Sequence, residues 1–227
     1  MGDQGAYGHL DPNTWLATEN FDSYAAGTSI SGGAGGSGWD ANWVLTTGTV
    51  KAETTPTEGT EQGCRALKGL NEVHNANRTF TAIDDSVVHF QFYSDDATAL
   101  NERDVAFEGA GTSRFQFRIN VSTGGRYYAS DGTSYNTDLG AFTTNTWNTV
   151  DIKFGHVTGK FAISLNGGAY SADNACTGNI STVDKFYFLS AQTPVGNFWV
   201  DDVGPVAGAV CVATTTVPSR LTLLGVR

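Results

Sequence analysis

Short segments of alternating apolar and polar residues recur along most of the chain. In SVVHFQFYS the alternation separates an apolar face from a mixed one: Val88, Phe90 and Phe92 against Val87, His89, Gln91 and Tyr93. About eleven such segments predict strands, the other ten being TVKAET, CRALKGL, NRTFTAI, DVAFEG, SRFQFRINVS, GRYYASDG, TWNTVDIKFG, GKFAISLNGGAY, VDKFYFLSA and GNFWVDDV. Turn residues separate them, and no long amphipathic helix is predicted. The pattern indicates an all-β fold, an antiparallel two-sheet jelly-roll sandwich.

The same pattern predicts one domain with two flanking arms. Residues 1–17 are predicted to form an extended N-terminal arm, 18–206 the sandwich, and 207–227 a C-terminal arm or an added strand. The stretch GTSISGGAGGSGW is rich in glycine, but no lysine follows it and no helix is predicted to begin there. It therefore indicates a loop, not a phosphate-binding turn.

The middle of the chain resembles concanavalin A-like, laminin-G-like jelly-roll domains. The resemblance rests on Trp147 at the start of a strand, the turn Thr158-Gly159-Lys160, and the Asn166-Gly167 turn that ends the next strand. The opening ENFDSYAAGTSISG and the closing FWVDDV are similar to the first and last strands of such domains. This resemblance implies the fold, which hosts lectins, glycan-binding modules, glycosidases, lyases and non-catalytic virion domains, so it does not select a function.

Charge and cysteine content exclude some partners. The net charge of −10 argues against binding to nucleic acid or to an anionic membrane surface. No segment has the length and apolarity of a membrane span or a signal peptide, which favours a chain that stays in the cytoplasm where it is made over one whose signal peptide was removed. Cys64, Cys176 and Cys211 lack metal-ligand spacing and predict reduced thiols, with a Cys64–Cys176 bridge as the alternative.

Two strands carry the residues that suggest catalysis or glycan binding. Arg114, Gln116 and Arg118 share one face of SRFQFRIN, as a uronate-binding lyase would need, and His89 with Gln91 could join them. The alternative is an ordinary polar face over a buried side of Phe115, Phe117 and Ile119. Tyr135, in a segment predicted to be a loop, is a candidate for stacking on sugars. Because no Glu-x-Asp-x-x-Glu run is present, we expect no enzymatic activity.

A structural calcium ion is the one cofactor that the sequence suggests, and none is required. Glu19 and Asp22 in the first strand, with Asp202 or alternatively Asp201 in the last, would supply its carboxylate oxygens. Strand alternation predicts that Asp201 and Asp202 face opposite sides. On that prediction Asp202 shares a face with Phe198 and Val200, and Asp201 shares the other with Trp199 and Val203.

The apolar C-terminal segment suggests assembly. Its residues that would dock on a neighbouring copy are Val210, Val212, Leu221, Leu223 and Leu224. By analogy, we expect a non-enzymatic virion protein, a bacteriophage capsid decoration or tail component, made in the host cytoplasm. It would form homo-oligomers or bind other virion proteins, and touch surface glycans. The alternative is a carbohydrate-binding module or a polysaccharide lyase or glycosidase domain, which would be secreted and bind a polysaccharide.

Overall fold

Two packed antiparallel sheets make up the described part of the chain. The computed structural model describes residues 17–19, 21, 23–54, 66–69, 74–84, 86–95, 103–109, 113–120, 126–131, 135–141, 143–155, 157–176, 182–190 and 198–204. All regular elements within these residues are strands, and the all-β, two-sheet prediction is confirmed. No helix in this part of the chain is long and apolar enough to cross a membrane.

In the described part of the chain, each sheet has seven strands. The first sheet has the order β1-β4-β13-β6-β7-β8-β9, with the bounds Val44–Thr47 (β1), His74–Asp84 (β4), Thr182–Ser190 (β13), Arg103–Gly109 (β6), Ser113–Asn120 (β7), Arg126–Ser130 (β8) and Tyr135–Ala141 (β9). The second sheet has the order β12-β11-β10-β5-β14-β3-β2, with the bounds Asn174–Ala175 (β12), Lys160–Leu165 (β11), Asn148–Phe154 (β10), Ser86–Ser94 (β5), Phe198–Gly204 (β14), Ala66–Gly69 (β3) and Val50–Glu53 (β2).

The core lies between the two sheets and follows the predicted alternation. Val88, Phe90 and Phe92 of β5 are fully buried and belong to the main hydrophobic cluster. Phe198 of β14 stacks on Phe188 of the opposite sheet, with ring centroids 4.3 Å apart. Since inward residues of both sheets fill one space, each strand presents its remaining side chains to the outward face of its sheet.

The eleven predicted strands are all present, and three further strands were missed. The missed ones are β1, β9 and β12. The prediction that Tyr135 lies in a loop is wrong, because this residue begins β9, which pairs with β8 at the end of the first sheet. Short or glycine-containing strands such as YNTDLGA give little alternation to recognise.

The turn prediction from the jelly-roll pattern is confirmed, whereas the described residues of the predicted first strand form isolated bridges and turns and no regular strand. Asn166 and Gly167 both have positive φ, 52° and 69°, as a tight hairpin turn requires. The segment around Glu19 lies beside the last strand, with a bridge between Glu19 and Val203. Residues 27–38 form turns and isolated bridges. The predicted C-terminal arm, with its assembly residues Val210, Val212, Leu221, Leu223 and Leu224, lies outside the described residues, as does the N-terminal arm apart from Ala17.

Cys176 is a free thiol buried beside β12. Burial raises the pKa of this thiol to about 12, so the thiol stays protonated at neutral pH. Cys176 is free, as predicted, and Cys64, its alternative partner, lies outside the described residues.

Candidate functional site

The outward face of the second sheet carries a group of polar and aromatic side chains. We call it the polar face, defined by residues of the three adjacent strands β5, β10 and β14 and by Trp147 at the start of β10: His89, Gln91, Tyr93, Trp147, Thr149, Asp151, Lys153, Trp199, Asp201 and Asp202. Registers place Thr149 and Asp201 beside Gln91, and Asp151 beside His89. The sheet therefore brings residues together that are more than a hundred positions apart in sequence.

A β-bulge in β14 adds a carboxylate to this face. Asp201 pairs with Gln91 and Gly204 with His89, so three steps along β14 match two along β5. Asp202 has a φ of 50°, a left-handed conformation that aspartate tolerates better than most residues. The extra residue at the bulge interrupts the side-chain alternation, and Val203 returns to the core with Phe198 and Val200.

The predicted separation of the two aspartates is therefore wrong. Trp199 packs edge-on against Tyr93, which places Trp199 and, two residues later, Asp201 on the outward side. Asp202 Oδ2 accepts a hydrogen bond from Gln91 Nε2 at 3.2 Å, so its carboxylate reaches the same face. The predicted grouping of Val203 with Asp201 is also wrong, because the bulge reverses the side on which every later residue lies.

The two aspartates are close along the backbone and both are buried. Asp201 Oδ1 accepts a hydrogen bond of 2.8 Å from the backbone N–H of Asp202. Burying a carboxylate requires hydrogen bonds or a countercharge, which proteins often provide at functional sites. The bulge thus gives the polar face two adjacent carboxylates where a regular strand would give one.

His89 and Asp151 form a pair next to these carboxylates. His89 Nδ1 lies 2.7 Å from Asp151 Oδ1, and the side chains are 4% and 29% exposed. The other ring nitrogen, Nε2, is buried and has no hydrogen-bond partner among the described residues. A buried polar atom without a partner costs about 1–3 kcal/mol, so its presence needs an explanation.

Three aromatic rings lie at one end of the polar face. The Tyr93 ring is 5.4 Å from that of Trp147 and 5.3 Å from that of Trp199, measured between centroids. Tyr93 Oη donates to Asn145 Oδ1 at 3.1 Å, which fixes its ring against the loop before β10. Trp199 is buried, while Tyr93 and Trp147 are half-buried and keep part of their surface accessible. The group offers a broad apolar surface with polar atoms at its edge.

Lys153 and Tyr170 lie at the opposite end of the polar face. Lys153 Nζ lies 4.7 Å from the centroid of the Tyr170 ring, a cation–π contact. Partial burial, together with the nearby Asp151 carboxylate, raises the pKa of Tyr170 to about 12. Tyr170 therefore keeps its hydroxyl proton at neutral pH and remains 38% exposed.

The predicted glycan-binding strand, β7, lies in the other sheet. Register places Arg114 opposite Glu108, Gln116 opposite Ala106, and Arg118 opposite Asp104. Asp104 and Glu108 are buried carboxylates. Arg114 and Arg118 are thus each placed opposite an acidic residue of the neighbouring strand, and they are far from the polar face of the second sheet, where His89 and Gln91 lie. The sequence prediction that these two groups join is wrong, because β5 and β7 belong to different sheets.

Glu19, a predicted calcium ligand, already faces a cation. Arg78 Nη1 donates to Glu19 Oε2 at 2.9 Å, and the two side chains are 3% and 0% exposed. Burial raises the pKa of Glu19 although Arg78 and three hydrogen-bond donors lower it: the Phe21 backbone N–H, Trp43 and Tyr24. Calcium binding at this carboxylate would require displacement of Arg78.

Asp202, a second predicted calcium ligand, does not join Glu19. Asp202 is hydrogen-bonded to Gln91 on the outward face, while Glu19 faces Arg78 and Trp43 on the core side. Asp22 lies outside the described residues. Within the described chain, no three His, Cys, Asp or Glu side chains are arranged to hold a metal ion. A structural calcium ion stays a prediction.

Much of the polar face was visible in the sequence but was not assembled from it. The alternation in SVVHFQFYS already placed His89 and Gln91 on one side, and that in TVDIKF places Asp151 and Lys153 on one side of β10. What was missed is that β5 lies between β10 and β14, which requires knowledge of strand order. The bulge at Asp202 has no signal in the local pattern.

Comparisons with solved structures show the fold of this chain in other proteins. No protein-family model and no curated protein matches the sequence. A Crh5 transglycosylase bound to NAG matches the structure with a TM-score of 0.51 and 10% identity, over 86% of this chain and 84% of that one. A structure reported with endo-acting O-glycanases of the human gut microbiota, which initiate mucin breakdown, matches with a TM-score of 0.50 and 10% identity, over 86% and 100%.

A sialidase is similar over a smaller share of its length. It matches with a TM-score of 0.51 and 10% identity over 68% of this chain, which corresponds to 16% of the sialidase. Identities this low show the fold alone, a jelly-roll-like sandwich. The predicted resemblance to concanavalin A-like domains is confirmed at that level. None of these neighbours bears on a virion role, which stays a prediction.

Proposed function

We propose that this protein is a carbohydrate-binding sandwich domain that holds a polysaccharide on its polar face. The observation that carries the proposal is the group of Tyr93, Trp147 and Trp199 at one end of a face that continues into hydrogen-bonding side chains. Sugars present apolar ring faces and hydroxyl edges, and a site for them needs both kinds of contact. We therefore prefer the carbohydrate-binding module, which was the alternative in the sequence analysis, to the virion role.

The polar face also carries side chains that can bind sugar hydroxyls. Gln91, Thr149 and Asp151 are half-buried neighbours on β5 and β10, where amide, hydroxyl and carboxylate groups can bind sugar hydroxyls. The fold neighbours that act on glycans support the choice of ligand class. Sugar binding through Arg114, Gln116, Arg118 and Tyr135 remains a separate prediction.

Replacing Trp147 by alanine tests the proposal. We expect the variant to bind its polysaccharide about tenfold or more weakly, since a large aromatic contact is worth about 1.5–3 kcal/mol. Wild-type protein is first tested on immobilised neutral and anionic polysaccharides by affinity electrophoresis. The affinity for the best ligand is then measured by isothermal titration calorimetry. Trp147 is half-buried and precedes β10, so the fold should survive its removal.

The matched control is Tyr128→Ala. Tyr128 is a half-buried aromatic residue on the outward side of β8, in the first sheet. If the polar face binds the glycan, this variant keeps wild-type affinity. Loss of binding in Tyr128→Ala with none in Trp147→Ala would instead assign the site to the sheet that contains Arg114 and Arg118.

The bulge supports a second candidate function, hydrolysis or transfer of a glycosidic bond. Glycosidases commonly use two carboxyl groups that flank the scissile bond, and the bulge places Asp201 and Asp202 together on the polar face. The Gln91 side chain donates a hydrogen bond to the Asp202 carboxylate. A transglycosylase among the fold neighbours is consistent with this second candidate.

Deleting Asp202 tests the second candidate. Removal of the extra residue leaves Asp201 outward and Val203 inward, so we expect a folded protein with regular alternation in β14. If the pair is catalytic, release of reducing ends from the bound polysaccharide falls at least about a hundredfold. Asp40→Asn, at an exposed carboxylate away from the face, is the control. Absence of any release by wild-type protein from a polysaccharide that it binds would leave binding as the function.

A further inference from the structure

The sequence contains a single Asn-Gly pair, Asn166-Gly167, and the fold brings it beside the polar face. The pair forms an exposed turn after β11, which ends at Leu165, and the Gly168 N–H donates to the Leu165 carbonyl oxygen at 3.0 Å. Asparagine loses its side-chain amide group most readily when glycine follows, because glycine has no side chain to hinder attack by its backbone nitrogen. This turn is therefore where spontaneous deamidation of the chain should be fastest.

The Asn166 side chain takes the place of a backbone group in the pairing of β10 with the end of β11. The Asn166 N–H donates to the Thr149 carbonyl oxygen at 2.8 Å, as in a regular antiparallel pair. The Thr149 N–H, however, donates to Asn166 Oδ1 at 2.9 Å. Asn166 Nδ2 donates to Asn148 Oδ1, also at 2.9 Å, and Asn148 is only 2% exposed. Both ends of the carboxamide are thus bound to β10.

Deamidation requires this carboxamide to leave β10. The Gly167 nitrogen, after losing its proton to the solvent, attacks Asn166 Cγ; a new N–C bond forms, the Cγ–Nδ2 bond breaks, and ammonia leaves with a proton from water. The resulting succinimide ring takes up one water molecule and opens to aspartate or isoaspartate. The Gly167 N–H is exposed and forms no hydrogen bond among the described residues. The restraint on the reaction is therefore the pair of hydrogen bonds that hold the carboxamide.

The products of this reaction would change the start of β10. Asn148 and Thr149 directly follow Trp147, and Thr149 lies beside Gln91 on the polar face. Aspartate at position 166 keeps an acceptor for the Thr149 N–H, but it loses the donor to Asn148 and adds a negative charge. Isoaspartate also adds a methylene group to the main chain, which disturbs the backbone pairing with Thr149.

We propose that Asn166 is a deamidation site that regulates the proposed glycan-binding face. In the native protein Asn148 and Thr149 hold the carboxamide away from the Gly167 nitrogen. Conversion of Asn166 to isoaspartate removes these contacts, shifts the start of β10 with Trp147 and Thr149, and weakens glycan binding irreversibly. The inference rests on the proposed function and adds a means of its regulation.

The rate of deamidation tests the restraint without any ligand. The full chain and a synthetic peptide of residues 161–171 are incubated in mildly alkaline buffer, and isoaspartate at position 166 is followed by peptide mapping with mass spectrometry. We expect the native chain to react at least about tenfold more slowly than the peptide, since two hydrogen bonds must break first. Asn148→Ala should react about fivefold faster than wild-type protein, because one of the two bonds is lost.

Two variants are the controls for this rate. Phe198→Leu lowers stability at a site away from the turn, so it should react at the wild-type rate if local contacts and not global unfolding control the reaction. Gly167→Ala should hardly react, because its methyl group hinders the attacking nitrogen. A Cβ at position 167 meets no atom within 4 Å, so this variant should fold despite the positive φ of 69°.

Binding tests the regulation. Deamidated and intact wild-type protein are separated by anion exchange, and isothermal titration calorimetry compares their affinities for the polysaccharide that wild-type protein binds best. We expect the isoaspartate form to bind at least about fivefold more weakly. Asn166→Asp gives the effect of the charge alone and should lose less. Gly167→Ala, incubated in the same way, should keep its starting affinity.

The outcomes separate this proposal from the proposed function. Equal rates for the native chain and the peptide, or for Asn148→Ala and wild-type protein, would show that the hydrogen bonds do not restrain Asn166. If the isoaspartate form binds as tightly as intact protein while Trp147→Ala loses affinity, the glycan site stands and its regulation by Asn166 is wrong. If wild-type protein binds no polysaccharide, both the proposed function and the regulation fail.

Discussion

Replacing Arg78 by methionine should destabilise the protein by about 3–5 kcal/mol, because it leaves the Glu19 carboxylate buried without a countercharge. The guanidinium also donates to the backbone carbonyl oxygens of Gly35, at 2.6 Å, and Ala41, at 2.7 Å, and it lies over the Trp39 ring. A single side chain thus joins β4, the loop around residues 35–41 and the segment beside the last strand. Urea unfolding measures the change in the free energy of unfolding.

The loss of stability in Arg78→Met should depend on pH. Arg78 is one of the groups that lower the pKa of Glu19 against the effect of burial, so its removal raises that pKa further. A carboxyl whose pKa is raised in the folded state stabilises the fold at low pH, and this stabilisation is lost as the pH rises through the raised pKa. The deficit of Arg78→Met relative to wild-type protein should therefore be smaller at pH 5 than at pH 8.

Two variants serve as controls for Arg78→Met. Arg126 pairs with Asp138 at the surface, where the side chains are 38% and 42% exposed, so Arg126→Met should leave the stability close to that of wild-type protein. The double variant Glu19→Gln, Arg78→Met should lose less stability than the sum of its single changes. Equal small losses in the two arginine variants would show that the buried pair contributes no more than a surface pair.

Replacing Phe198 by alanine should cost about 3–5 kcal/mol, since the ring is fully buried at the point where the two sheets meet. It stacks on Phe188 of the first sheet at 4.3 Å and lies 5.6 Å from Phe92 of its own sheet, between ring centroids. The buried guanidinium of Arg103 lies 5.8 Å from its centroid. Alanine would leave a cavity that rigid sheets cannot close.

Phe198→Leu is the matched control, and we expect it to cost less because most of the volume is kept. Thermal and urea unfolding compare the variants. Since β14 also carries Trp199, Asp201 and Asp202, Phe198→Ala should weaken glycan binding as well as stability. A loss of stability below about 1.5 kcal/mol would show that the neighbouring rings close around the vacant space.

The position of Arg78 illustrates what sequence could not predict. NRTFTAI correctly predicts a strand, but its alternation places Arg78 on the same side as the buried Ala76 and Phe80. A charged residue at an inward position is stable only with a buried partner, and that partner, Glu19, is 59 residues away. Glu19 was instead predicted to bind calcium, because its countercharge was not recognised.

The sequence by itself determined the fold class, the strands with clear alternation, and the residues on each face of those strands. These follow from local rules, since successive side chains of a strand point to opposite sides and Asn-Gly pairs form tight turns. The tertiary structure alone decided that β5 lies between β10 and β14, that β7 belongs to the other sheet, and that Asp202 shares a face with Asp201. Strand order depends on contacts between distant segments, and a bulge depends on the pairing of one strand with its neighbour, so neither can be read from the local pattern.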